Sequence, residues 1–256
     1  AVQAPRFEVD PFWPRPLPNH WLLGNAIGVW ADAQDQVWIV HRGSDTLVNN
    51  EKALELKAGD CCAGAPGVLA FDRQGNLTKR WGGPGQGYDW PTSNHGIFVD
   101  HTGMVWIGGN GPGDSHIMKF TQDGKFVAQY GKPNARQTGK NAEGNPTFTP
   151  NSHDPSSFGR VAKIFVDPKA NEAYIADGYF NRRVPVLDAS TGKMKRFWGA
   201  YGKPPDDKVA LGVYDPAAPP FQHFRNPVHC ADLSNDGFVY VCDRVNDRIQ
   251  VFRPDG

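Results

Sequence analysis

The chain has 256 residues, with 27 basic and 27 acidic side chains and a formal net charge of zero. No basic block or stripe supports a nucleic-acid or anionic-membrane partner, and no apolar run approaches the ~18 residues that span a bilayer. The 29 Gly and 22 Pro fall between apolar runs without a period, so they punctuate turns and make neither a collagen nor a linker. Eight Trp, seven Tyr and fifteen Phe imply a substantial core, and the length suits one large all-β domain or two small ones.

The first residues, Ala1-Val2-Gln3-Ala4-Pro5, lack an initiator Met and read as a chain cut by signal peptidase, which implies a secreted or periplasmic protein. A boundary of the expressed piece would look the same. Residues 1–24 carry Pro11, Pro14, Pro16 and Pro18 and are expected to be an extended strap over the outside.

From residue 25 a repeat organises the chain. Gly28–Asp32, a polar turn and Val37–Val40 form the first pair of runs. Gly96–Asp100 with Val105–Ile107, Lys163–Asp167 with Ala173–Ala176, and Cys230–Ser234 with Phe238–Val241 repeat it. Trp38, Trp106, Tyr174 and Tyr240 align at intervals of 68, 68 and 66 residues. A third run ends at Phe71, Phe120, Leu187 or Phe252, and a glycine turn follows. A fourth run then ends in an aromatic residue before Gly82, Gly131 or Gly199. Short alternating runs joined by Asp-Gly-type turns are hairpin strands, and four per unit, repeated, make propeller blades. The expected fold is all-β: a β-propeller of four-stranded antiparallel blades over residues 25–256. The fourth blade stops before its outer strand, so the four units are expected to form an open arc of a larger ring. The insertions 49–66, 134–157 and 204–222 are expected to be surface loops on one face.

The units are NHL-like, and several motifs go further. His41-Arg42-Gly43, His95-Gly96, Asp177-Gly178-Tyr179-Phe180-Asn181-Arg182-Arg183, Pro227-Val228-His229 and Asp243-Arg244-Val245-Asn246-Asp247-Arg248 resemble the propeller of peptidyl-α-hydroxyglycine α-amidating lyase, a six-bladed NHL-type enzyme. The resemblance covers most of residues 25–252 and at most four of six blades. It implies an axial zinc ion held by three His, two of them His95 and His229, with the third outside this sequence. It also implies a calcium ion held partly by the carbonyls of Val29 and Ile97, and catalytic roles for Tyr179, Arg42 and Arg244.

The register supports part of this without the family. His95 and His229 occupy the same place before the first run of blades two and four, where blades one and three have Ile27 and Ala162. One His from each of three alternate blades would make a trigonal face with a fourth position open, as catalytic zinc requires. Two hydrogen-bonded loop histidines are the alternative. A Tyr flanked by a dication and guanidinium groups has a stabilised phenolate and can act as a base, and Arg grips a carboxylate bidentately. Arg183 and Arg248 stand at the repeat's architectural Arg position, while His41, His101, His116, His153 and His223 fall outside the register and read as surface or loop residues.

There are departures. Phe180 stands where the animal enzymes have Cys, and Tyr240 and Val251 stand where they have a disulfide. Cys230 and Cys242 instead face each other across a predicted hairpin and are candidates for a disulfide. The vicinal pair Cys61-Cys62 can close on itself, bind metal or stay reduced. Two functions remain open. One is a zinc-dependent lyase that cleaves a carbinolamide C–N bond in a small-molecule or peptide substrate. The other is a non-catalytic NHL propeller that binds a protein or glycan on its loop face. A calcium lactonase would need an axial ring of Glu, Asn and Asp, which is not in register.

Overall fold

The computed structural model describes residues 3–256, and the strands follow the repeat. A short strand β1 (Trp21–Leu22) precedes blade one, which contains β2 (Ala26–Ala31) and β3 (Val37–His41). The two-residue β4 (Ala63–Gly64) pairs in parallel with β1, and β5 (Val68–Phe71) and β6 (Leu77–Trp81) complete the blade. Blade two is β7 (Asn94–Val99), β8 (Val105–Gly109), β9 (His116–Phe120) and β10 (Phe126–Gly131). An exposed hairpin, β11 (Gln137–Lys140) and β12 (Pro146–Phe148), leads to blade three: β13 (Lys163–Asp167), β14 (Glu172–Ala176), β15 (Val184–Asp188) and β16 (Met194–Trp198). Blade four has three strands, β17 (Val228–Leu233), β18 (Val239–Asp243) and β19 (Arg248–Phe252). In every blade each strand pairs antiparallel with the next in sequence, which is the pattern hairpin turns impose.

The aromatic residues that set the period sit in the second strands. Trp38, Trp106 and Tyr174 are fully buried, whereas Tyr240 is 37% exposed. Each of the three buried rings has a polar handle, and the chain supplies a carboxylate for it. Asp32 accepts from Trp38 Nε1 at 2.8 Å, Asp100 from Trp106 Nε1 at 2.7 Å, and Glu172 from the Tyr174 hydroxyl at 3.2 Å. The Asp that closes the first run thus serves two purposes, since Asp32 and Asp100 also accept the turn amides of Gln34 and Thr102. Such dual use satisfies groups whose burial would otherwise cost roughly 1–3 kcal/mol each.

The first strands pack in succession, β2 on β7, β7 on β13 and β13 on β17. Glycine allows the closest approaches. A Cβ at Gly28 would fall 3.0 Å from the Gly96 Cα, and one at Gly96 would fall 2.6 Å from the Ala162 carbonyl oxygen. These glycines bring the openings of the first strands together, and that is where the candidate site lies.

Two expectations need correction. The 49–66 and 134–157 insertions are not all loop: β4 lies in the first, and in the second a turn at Asn141–Asn145, with Gly144 at φ +82°, folds the β11–β12 hairpin. His41 and His116 are buried, not superficial. Nδ1 of His41 accepts the amides of Gly24 and Gly43, and its Nε2 donates to the Pro66 carbonyl. It fastens the chain entering blade one, and burial pushes its pKa below the usual imidazole value.

Candidate functional site

Each candidate side chain is delivered by a strand end, and the two ends differ in kind. His95 and His229 lie near the starts of the first strands β7 and β17. Tyr179 and Arg244 lie just past the ends of the second strands β14 and β18. In an antiparallel hairpin the start of one strand and the end of the next share an edge. The four residues therefore emerge at one mouth.

What holds Tyr179 and Arg244 there is an Asp–Asn–Arg triad written around each. In blade three, Asp177 accepts from Asn181 Nδ2 and Arg183 Nε, both at 2.9 Å, and from the amide of Gly159. In blade four, Asp243 accepts from Asn246 Nδ2 at 2.7 Å, Arg248 Nε at 2.8 Å and the amide of Arg225. The triad ties the loop between Asp and Arg into a fixed turn, and Tyr179, two residues after Asp177, and Arg244, directly after Asp243, project from the start of that turn into the mouth. Asn226 adds a further tie from blade four to three by donating to the carbonyls of Gly178 and Asn181. Arg183 and Arg248 are therefore architectural.

The centre of the site is the Tyr179 hydroxyl. It lies 3.1 Å from Nε2 of His95 and 3.1 Å from Nε2 of His229. The two imidazole rings stand edge to face, with centroids 5.3 Å apart. Nδ1–H of His95 donates to the Ala162 carbonyl at 2.7 Å. That fixes the tautomer and leaves Nε2 a bare lone pair aimed at the phenol, the form a metal ligand needs. Burial holds the His95 pKa below the usual imidazole value, and the guanidinium groups of Arg42 and Arg244 add to this. His229 is pushed down to about 4, first by burial and then by His95, Arg244 and Lys163. Both rings are neutral at neutral pH.

Arg244 lies over the face of the Tyr179 ring, 5.6 Å from its centroid, with Nη1 3.5 Å from the hydroxyl. It is exposed and free to turn toward a ligand. Arg42 reaches the region from blade one. Its Nη2 donates to Asn110 Oδ1 at 3.1 Å, and its buried Nε has no partner among the described residues. A buried donor without an acceptor is costly, and here it borders a cleft of about 410 Å³ lined also by His41, Ser44 and Thr92.

The chemistry of this donor set suits zinc at two positions: two neutral imidazoles converge, and one has its second nitrogen tied to a carbonyl. Among the described residues no group of three or more His, Cys, Asp or Glu completes a cage. Val29 and Ile97 border a cavity of about 250 Å³ that both histidines also line. Its lining has no carboxylate and includes Lys163, so these residues alone do not make a calcium cage.

Cys230 and Cys242 are paired in register and joined by a disulfide, and Cys61 and Cys62 are bonded to each other. Three contributors to the site escaped the sequence reading: the Ala162 carbonyl, Asn110 and Asn226. A backbone carbonyl leaves no mark on residue type. Either Asn could have been found only by asking which polar residues flank the strand ends.

No protein-family model matches the chain. NHL repeat-containing protein 3 of Mus musculus is 26% identical over 261 residues, and the match takes in 99% of this chain and 58% of that protein. The chain therefore spans little more than half the length of this relative. A structural-genomics protein from Bacteroides thetaiotaomicron superimposes with a TM-score of 0.52 at 14% identity, covering 90% of this chain and 47% of that one. An inactive H270A virginiamycin B lyase from Staphylococcus aureus, solved with quinupristin, gives a TM-score of 0.43 at 14% identity, over 94% of this chain and 70% of that one. At such identities solved structures speak to the fold alone. Among the described residues no helix is long and apolar enough to cross a membrane.

Proposed function

We propose that this propeller face belongs to a metal-dependent lyase of the peptidyl-α-hydroxyglycine amidating type. The observation that carries the reading is one phenol oxygen 3.1 Å from two Nε2 atoms, with a guanidinium over its ring. A purely architectural tyrosine has no need of two imidazoles and an exposed arginine at its hydroxyl. The substrate is a carbinolamide bearing a carboxylate. Arg244, or Arg42 with its unpartnered Nε, takes the carboxylate through parallel hydrogen bonds. Tyr179 as phenolate removes the proton of the substrate hydroxyl. The oxygen lone pair then forms the C=O bond of glyoxylate as the C–N bond breaks. The electron pair of that bond goes to nitrogen, which takes up a proton and leaves as the amide. Nε2 of His95 and Nε2 of His229 would hold a zinc ion, which would supply Lewis acidity to the site. The two disulfides support a secreted or periplasmic setting, since such bonds persist in oxidising compartments.

A second reading, a propeller that binds a protein or glycan without turnover, draws on the exposed β11–β12 hairpin, whose strands are largely solvent-facing. Metal analysis of the purified intact protein decides between the two. The lyase reading expects near-stoichiometric zinc that is lost in His95→Ala and His229→Ala. It also expects release of glyoxylate from a peptidyl-α-hydroxyglycine that Tyr179→Phe abolishes. Protein free of zinc and inert toward that substrate would favour the binding module.

A further inference from the structure

The junctions between successive blades share one contact. The aromatic residue that ends an outer strand lies on the glycine turn between the third and fourth strands of the next blade. Trp81 covers Gly124, where a Cβ would fall 2.6 Å from the Trp81 Cγ. Tyr130 covers Gly192 more closely still, and Trp198 covers Gly256, where a Cβ would fall 3.0 Å from the ring. The glycines have φ of +79°, +73° and +110°, a region L side chains avoid. Two of the aromatics also meet the next blade's third strand: Trp81 packs at a tilt against Phe120, with ring centroids 5.0 Å apart, and Trp198 against Phe252 at 5.8 Å.

Gly75, at φ +81°, is the matching turn of blade one. Trp13, from the proline-rich segment, covers it. A Cβ at Gly75 would fall 3.0 Å from Trp13 Cδ1, and Trp13 packs at a tilt against Phe71, with ring centroids 5.7 Å apart. The amide of Arg15 fixes the contact by donating to the Gly75 carbonyl at 2.9 Å. The spacing agrees with the contact. Trp13 and Trp81 are 68 residues apart, as are Val9 and Leu77, Pro16 and Pro84, and Ala26 and Asn94. That is the interval between Trp38 and Trp106.

The rest of the segment follows the same grammar. Leu77 pairs with Phe71 and Trp81 with Val68 within blade one. Val9 and Trp13 hold the corresponding places, yet nothing in the described chain pairs with Val9. Phe7, Val9 and Phe12 are 91%, 86% and 82% exposed. Phe7-Glu8-Val9-Asp10 alternates apolar with acidic, a strand pattern without a sheet. Pro11 does not argue against it, because an outer strand has a free edge where a missing N–H costs little.

We infer that Val9–Trp13 is the outer strand of a further propeller blade, which stands on the opposite side of blade one from blade two. Its partner is that blade's third strand, antiparallel, with an apolar residue opposite Trp13 and another, three residues later, opposite Val9. Val68 and Phe71, Ile117 and Phe120, and Val184 and Leu187 show this pattern in blades one to three. The segment is then the seam that joins blade one to the preceding blade of the same ring. This does not depend on the lyase reading.

Hydrogen exchange of the intact protein, read by mass spectrometry over a range of concentrations, tests the inference. The amides of Phe7–Asp10 should exchange about tenfold or more slowly than those of an unstructured peptide. The slowing should be independent of concentration and lost in Val9→Asp, while Arg15 keeps its protection. Free exchange of Phe7–Asp10 in the wild type would overturn the strand assignment and leave a strap held by Trp13. Protection that appears only as a dimer forms in sedimentation would overturn the same-ring partner in favour of a second copy. If Val9→Asp fails to fold, the wild-type exchange pattern still decides.

Discussion

Blades three and four carry the same Asp–Asn–Arg triad in different surroundings. Blade three is enclosed between its neighbours: Asp177 and Arg183 are fully buried, and Arg183 also donates to the carbonyls of Ser152, Asp154 and Ser157. Blade four has one covered flank, with Tyr240, Ile249 and Val251 37%, 63% and 53% exposed. Its Arg248 is partly exposed and donates to the His223 carbonyl and the Tyr201 hydroxyl. The triad geometry survives the change, with Asp-to-Arg distances of 2.9 and 2.8 Å. The loop that presents Tyr179 or Arg244 is thus set by local hydrogen bonds, and burial decides how much those bonds are worth. Blade four also has a covalent tie, Cys230–Cys242 across its first hairpin, where blade three pairs Lys163 with Ala176 nearby.

Removing the two aspartates should have the largest effect on stability. Asp177→Ala leaves the buried Arg183 guanidinium without its counter-charge and orphans Asn181 and the Gly159 amide, so a loss of about 3–5 kcal/mol is expected. In Asp243→Ala water can reach Arg248, and about 2–3 kcal/mol is expected. Urea unfolding of both variants measures the difference, and equal losses would show that burial does not set the value of the triad. The next effect in size belongs to the covalent tie. Cys230→Ser with Cys242→Ser opens a short loop and should cost about 3 kcal/mol. The change in unfolding should appear first at β17–β19 by hydrogen exchange.

Blade three has an acid-sensitive contact of its own. Glu172 is bound by Arg196 at 2.9 and 2.5 Å and by Lys195. The Arg196 hydrogen bonds come first in driving its carboxyl down to about 2 from an ordinary 4.5; burial opposes them, and Lys195 assists. A folded-state pKa below the unfolded value gives stability that is complete above about 4.5 and drains away as pH falls toward 2. Glu172→Gln should lose about 2 kcal/mol at neutral pH, and its unfolding free energy should fall less steeply than the wild type's between those limits. Parallel pH dependences would place the acid sensitivity elsewhere.

The period was legible because aromatics at a fixed interval must fill equivalent places between blades, and Trp38, Trp106 and Tyr174 do. His95 and His229 were legible for the same reason: they break an otherwise apolar register position. Arg42 was singled out by its motif, but its partner Asn110 lies 68 residues on in the next blade, and nothing local links the two. The 68-residue interval also links Val9 and Trp13 to Leu77 and Trp81, while Pro11, Pro14 and Pro16 read locally as an extended strap. His41 and His116 were misjudged because a strand-end histidine can cap neighbouring amides and carbonyls inside the fold as readily as it can face solvent.

The smallest effect on stability should come from the residue at the centre of the site, and that contrast separates architecture from function. Tyr179 is held by its backbone, with its amide donating to the Arg160 carbonyl and the triad closing the turn around it. Among the described residues its hydroxyl touches only the two imidazoles and Arg244. Tyr179→Phe keeps the ring that Arg244 covers and removes one oxygen, so the loss should be within about 1 kcal/mol. The nearby Asp177→Ala should cost several times that. Removing the oxygen also removes the group that touches both Nε2 atoms, leaving them open to a metal. On the lyase reading, Tyr179→Phe should therefore retain zinc at wild-type stoichiometry while failing to release glyoxylate, whereas His229→Ala should lose both. A Tyr179→Phe protein that unfolds as readily as Asp177→Ala would show that the hydroxyl holds the blades together, and the site would then have to be sought elsewhere on the face.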